Sequence, residues 1–179
     1  TLDQALRAAE DLDCEIIEVS LGEHDPARAR RAGLLLGEAD ACITHAAILT
    51  SQPESLSDGV RSLMTFGRDV KGERLARAAR LVDLTRYRVL CALRDADVIM
   101  TPTTPQTAFP FEQQEPANQG DFTALANLAG CPAISIPVPT DSGLPCGIQL
   151  IGRPFEEGAI LQIAAMLEAW LPSVPEPLI

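Results

Sequence analysis

The chain has 179 residues, 46% of them apolar and only 4% aromatic, which suits one domain with an aliphatic, Ala-rich core. Its formal net charge of −11 argues against binding nucleic acid or an anionic membrane surface, both of which need clustered Lys and Arg. No apolar run approaches the roughly 20 residues of a membrane helix, and the N-terminus lacks the basic-then-apolar pattern of a signal peptide.

In chain order, residues 2–12 form an amphipathic helix with Leu2, Ala5, Leu6, Ala9 and Leu12 on one face. This helical pattern starts almost without lead-in, as expected of a chain that begins inside something larger. "CEIIEVSL" (14–21) reads as a strand. "HDPARARRAG" is a helix start, with Asp25 as cap and Pro26 at the first helical position. The stripe Leu35, Ala39, Cys42, Ala46, Leu49 carries that helix to about residue 50.

A polar loop and a short helix over 58–67 follow, then a long helix over 72–96 with Leu75, Ala79, Val82, Val89 and Leu93 on its buried side. "DVIMTP" (97–102) reads as a buried strand stopped by proline, and 102–120 as a long Pro- and Gln-rich loop. "DFTALANLAG" is a short helix ended by Gly130. "AISIPV" and "GIQLIG" are strands that pair across the turn between them. "EEGAILQIAAMLEAW" closes the fold as a helix with Ile160, Ile163, Leu167 and Trp170 inward, and a Pro-rich tail occupies 172–179. Strands alternate with helices, so the expected class is a layered α/β fold.

Familiar catalytic patterns are absent: there is no G-x-S-x-G, phosphate-binding glycine loop, H-E-x-x-H or C-x-x-C. The five cysteines are widely spaced and odd in number, which fits free thiols in a reducing cytoplasm. His45, on the flank of a helix stripe, reads as partly buried and hydrogen-bonded, and His24 as a surface residue. Cys131 lacks anything to lower its pKa and reads as an inert packed thiol. Asp121 reads first as a helix cap, and Arg61 as a member of a surface or loop ion pair. Thr101, Thr103 and Thr104 follow a strand's carboxyl end, where open α/β sheets bind ligands.

Taken in order, "LLGEADACITHAAIL", "DADVIMTPTTP", "FTALANLAGCPAISIPV" and "GLPCGIQLIGRPFEEGAILQIAAMLE" resemble the C-terminal part of amidase signature family enzymes. The resemblance covers nearly the whole chain and is strongest over 95–168. It implies a large mixed β-sheet covered by helices, with residues 1–171 as the incomplete C-terminal part of an amidase domain.

The implied activity is hydrolysis of amide bonds, without metal or organic cofactor. It proceeds through an acyl-enzyme formed on a serine, assisted by a second serine in a cis peptide and a lysine base. The family's glycine- and serine-rich signature has no counterpart here, and the one lysine is Lys71. The catalytic groups are therefore expected on an N-terminal part outside this chain, leaving these residues inactive alone.

Thr103, Thr104, Asp121, Phe122, Thr123 and Arg61 inherit the role of pocket candidates. The implied partners are a small-molecule amide, the remainder of the same chain, and a second copy drawn to exposed strand edges. The amidotransferase branch holds its substrate's amino group with an aspartate at the position of Gly120, one residue before Asp121, and a substrate carboxylate with an arginine matching Arg61. That shifted register favours a general amidase over an amidotransferase A subunit. A non-catalytic binding or assembly module is the remaining alternative.

Overall fold

The computed structural model describes residues 1–141 and 143–174. Helices α1 (Leu2–Asp11), α2 (Pro26–Thr44), α3 (Ala46–Ser51), α4 (Asp58–Arg68) and α5 (Gly72–Asp95) precede strand β1 (Val98–Pro102). Helix α6 (Ala124–Ala129), strands β2 (Ala133–Val138) and β3 (Cys146–Gly152), and helix α7 (Glu157–Trp170) complete the fold. Local signals account for many of these boundaries. The Asp25 carboxylate accepts the Arg28 N–H at 2.9 Å with Pro26 in the first turn, and Ser57 caps α4 through the Val60 N–H. Gly130 ends α6 at φ +65°, a left-handed conformation that costs glycine no Cβ clash.

The strands form one sheet in the order β1-β3-β2, antiparallel at both pairings. The "AISIPV" and "GIQLIG" strands are neighbours, as their spacing predicts. β1 and β2 flank β3, so the "DVIMTP" strand lies at an edge of this sheet, where its terminal proline needs no ladder donor. Alternation divides the sheet into two faces. Ile136, Val138, Ile148 and Leu150 pack under α1 and α7 with Ala5, Ala9, Ala164 and Leu167. Ile99 and Ile151 pack on the other face with Val89 and Leu93 of α5 and Leu125, Ala126 and Ala129 of α6. Helix α2 joins α5 through Ala32, Leu35 and Ala78, and joins α4 through the buried Cys42 thiol, which donates to the Met64 carbonyl at 2.6 Å.

Several expectations are corrected. Residues 14–21 form no strand: the segment has no ladder partner among the described residues, and it runs without regular secondary structure, with Val19 and Leu21 against the α5–α6 cluster. Ile16 and Ile17 stay 42% and 43% exposed, so the segment buries too little to complete a sheet. The helix expected to reach residue 50 breaks at His45, where φ −110° and ψ 21° separate α2 from α3. The apolar stripe is buried at Leu35 and Cys42, whereas Ala46 beyond the break is exposed. On α7, Ile160 and Leu167 face inward with Ala164, but Trp170 is 55% exposed at the last turn, with its indole N–H directed to Asp11 at 3.4 Å. Leu171 is buried under the sheet, while residues 175–179 of the expected tail lie outside the described residues.

Candidate functional site

Beyond Ile99 and Ile151, the sheet face under α5 and α6 turns polar. Thr101 of β1, Gln149 of β3 and Ser135 of β2 stand in register, so their side chains share this face. Past the end of β1, the Thr103 N–H donates to the Gly147 carbonyl at 2.8 Å, and the Thr103 and Ser135 hydroxyls meet at 2.6 Å. They meet because position 147 has no side chain. A Cβ there would stand 2.5 Å from each hydroxyl oxygen, closer than any real contact. The Thr104 hydroxyl donates forward to the Gln106 carbonyl at 2.8 Å and shapes the following loop.

The segment 117–123 lies beside this row and enters α6. Asp121 does not cap the helix. Its carboxylate accepts Nε of Arg30, on α2, at 2.6 Å, and another guanidinium nitrogen donates to the Ala117 carbonyl at 2.6 Å. The pair is largely enclosed, at 21% and 14% side-chain exposure, so a charged partner from another helix outcompetes a local N–H. The Thr123 hydroxyl donates to the Gly120 carbonyl at 3.3 Å, while Asn127 reaches back to the Thr123 carbonyl at 3.1 Å. Phe122 is half-buried, and its carbonyl accepts both the Leu125 N–H and Nε2 of Gln149, each at 3.2 Å.

Thr103, Asp121, Phe122 and Thr123 thus stand around the carboxyl end of β1 and the entry to α6. Arg61 does not join them through any bond among the described residues. As expected, it makes an ion pair, with Asp58 one turn earlier, and it also donates to the Pro53 carbonyl at 3.2 Å. Next to the α6 entry, helices α2, α4 and α6 enclose a mostly apolar groove of about 680 Å³, whose walls include Arg30, Leu34, His45, Leu63, Ala124 and Leu128.

Other candidates behave differently from their sequence reading. His45 is exposed at the break after α2 instead of partly buried. His24, expected at the surface, is half-buried, with Nε2 enclosed and without a hydrogen-bond partner among the described residues. Burial, assisted by the Arg88 charge, lowers its pKa. Cys131 is packed against the α5–α6 cluster, and burial raises its thiol pKa despite the Arg86 charge, consistent with an inert thiol. Sequence reasoning missed Gln149, Ser135 and Arg30. Gln149 alone left a signal, as the one polar side chain inside the apolar run "GIQLIG". Among the described residues, no group of three or more His, Cys, Asp or Glu side chains could hold a metal ion, and no helix is long and apolar enough to cross a membrane.

A small antiparallel sheet covered by helices, with a polar row at one strand end, leaves the class of the protein open, and comparison with known proteins makes it specific. The Amidase family model matches residues 2–161, and this chain belongs to that family, the amidase signature enzymes. It is similar to the glutamyl-tRNA(Gln) amidotransferase A subunit of Syntrophus aciditrophicus, 49% identical over 83 residues, a match covering 43% of this chain and 17% of that protein. The corresponding A subunit of Solidesulfovibrio magneticus is 41% identical over 108 residues, 56% of this chain and 22% of its own length.

Among solved structures, a crystal structure of an amidase superposes with TM-score 0.78 at 26% identity, over 95% of this chain and 42% of that one. The glutamyl-tRNA(Gln) amidotransferase A subunit of Thermotoga maritima superposes with TM-score 0.75 at 26% identity, over 97% of this chain and 40% of that one. The chain therefore spans about two-fifths of the solved structures it matches.

Proposed function

We propose that residues 1–171 are the C-terminal part of an amidase domain and that the whole protein hydrolyses carbon–nitrogen amide bonds. In this reading a serine attacks the amide carbonyl, a second serine and a lysine relay the proton to the leaving amine, and water releases the acyl-enzyme. These catalytic groups lie outside these 179 residues, and this part supplies a pocket wall from Thr103, Thr104, Asp121, Phe122 and Thr123. Arg61 stands apart as a candidate for a more distant carboxylate of the substrate.

One observation carries the proposal: almost the whole chain superposes on two-fifths of a solved amidase. The lone lysine, Lys71, is exposed just before α5, which supports a base located elsewhere. Five free cysteines support a cytoplasmic setting.

The test is to assay the full-length gene product on small amides and label it with a serine-directed phosphonofluoridate. Turnover with the label outside these 179 residues is expected. Label within them, or steady turnover by the 179-residue chain alone, overturns the reading.

A second reading is an amidotransferase A subunit, favoured by the names of the relatives with 41–49% identity. Glutaminase activity that rises with a co-purifying partner selects it. Glutamine-independent hydrolysis of simple amides without a partner selects the general amidase.

A further inference from the structure

Gln149 is 4% exposed, and its amide nitrogen donates to two acceptors, the Thr101 hydroxyl and the Phe122 carbonyl, both at 3.2 Å. A carboxamide is suited to this position. It presents two N–H donors from one atom without a charge, matching the two oxygen acceptors that strand and helix entry supply.

The Phe122 carbonyl already receives the Leu125 N–H of the first α6 turn, so the second bond fixes that peptide plane from a strand. Arg30 holds the same segment through Ala117 and Asp121. Residues 117–123 are thus clamped between helix α2 and strand β3, and Phe122 and Thr123 are the part nearest the β3 clamp.

We infer that Gln149 is a positioning residue for the amide-binding pocket. Its carboxamide sets the orientation of the Phe122–Thr123 wall and so tunes substrate affinity without touching the reacting atoms. This inference rests on the amidase reading above. A wall held in one orientation is already shaped for the acyl and leaving groups, whereas a free wall must be ordered by the substrate at the moment of binding. Removing the clamp should therefore raise KM far more than it lowers kcat.

The experiment compares full-length parent, Gln149→Met, Phe122→Ala and the double variant on one amide substrate, with thermal unfolding recorded for each. Methionine preserves length and volume but has no donor. The expected result is a loss in kcat/KM of about tenfold for Gln149→Met, carried by KM, which shrinks to about twofold or less when Phe122 is already alanine. An unchanged kcat/KM, a loss carried by kcat, or an undiminished effect in the Phe122→Ala background overturns the inference. Should Gln149→Met fail to fold, Gln149→Asn, which keeps the carboxamide but is one methylene too short to hold both acceptors, is measured against the same outcomes.

A parent protein that turns over no amide instead defeats the amidase reading. The clamp is then judged by hydrogen exchange of the Phe122, Thr123 and Ala124 amides. Faster exchange in Gln149→Met upholds it, and parental exchange rejects it.

Discussion

The hydroxyls of Thr103 and Ser135 lie 2.6 Å apart across the face of a strand to which neither belongs. Thr103 follows β1 and Ser135 is in β2, with Gly147 of β3 beneath them. The absence of a Cβ at 147 allows a polar bridge over the sheet's middle strand, at the end of the face where α6 begins.

Gly147→Ala should force the two side chains apart. The new methyl would meet Thr103 Cβ at 2.8 Å as well as both hydroxyls, so a rotamer change of either hydroxyl alone cannot absorb it. A destabilisation of about 1–3 kcal/mol is expected by chemical denaturation. Ser135→Ala in the same chain should recover only part of it. An unaltered denaturation midpoint for Gly147→Ala would show that the strand end yields more easily than this packing implies.

Arg30 and Asp121 couple α2 to the α6 entry across 91 positions of sequence. Arg30→Ala or Asp121→Ala leaves its partner's charge largely enclosed. Each should cost on the order of 2 kcal/mol, below the roughly 3–5 kcal/mol of a fully buried pair because water still reaches both groups. The double variant should cost clearly less than the two single losses together. Strict additivity in the denaturation cycle would mean that the pair contributes nothing as a pair.

His24 should make stability depend on pH on the acid side. Its folded pKa lies below the ordinary 6.5, first through burial and then through Arg88. The unfolded chain therefore binds the proton more readily. The contribution is fully present above 6.5 and is lost as pH falls from there through the lowered folded value. Protonation must also bring charge to a ring whose Nε2 is enclosed without a partner among the described residues. His24→Gln should flatten the fall of the urea midpoint just below 6.5 relative to the parent. Parallel pH profiles would remove His24 as the cause.

Burial separates the cysteines by reactivity. Cys14 is exposed, Cys42 is buried and bonded to the Met64 carbonyl, and Cys131 has a raised pKa. In the native protein, iodoacetamide at neutral pH should modify Cys14 first and leave Cys42 and Cys131 until unfolding, as read by peptide mass mapping. Early labelling of Cys131 would contradict its assignment as a packed thiol.

Where a structural decision is local, the sequence carries it. Asp25 with Pro26 marks the start of α2, Gly130 the end of α6, and two apolar runs either side of a turn the pairing of β2 and β3. The same reasoning put Thr101, Thr103 and Thr104 at the end of a strand, because strand and loop follow one another directly, whereas Phe122 and Thr123 came only from the likeness to amidases and Asp121 was first read as a cap. It failed for "CEIIEVSL", whose apolar residues suit a strand equally well as an irregular segment pinned at Val19 and Leu21. It failed again at Trp170, because a helix stripe states which side chains share a face but not how far the covering layer extends.

By itself, then, the sequence determined most of the helices, the pairing of β2 with β3, the acidic aliphatic character and the likeness to amidases, since caps, periodicity and ordered motifs act over a few residues. The tertiary structure alone decided what Asp121, Gln149 and Gly147 do. Asp121 meets an arginine of α2, Gln149 bridges a strand and a helix entry, and Gly147 makes room for two hydroxyls from earlier in the chain. Each depends on a partner brought near by packing, and the strength of a hydrogen bond or a steric overlap is set by distance in space, which spacing along the chain does not encode.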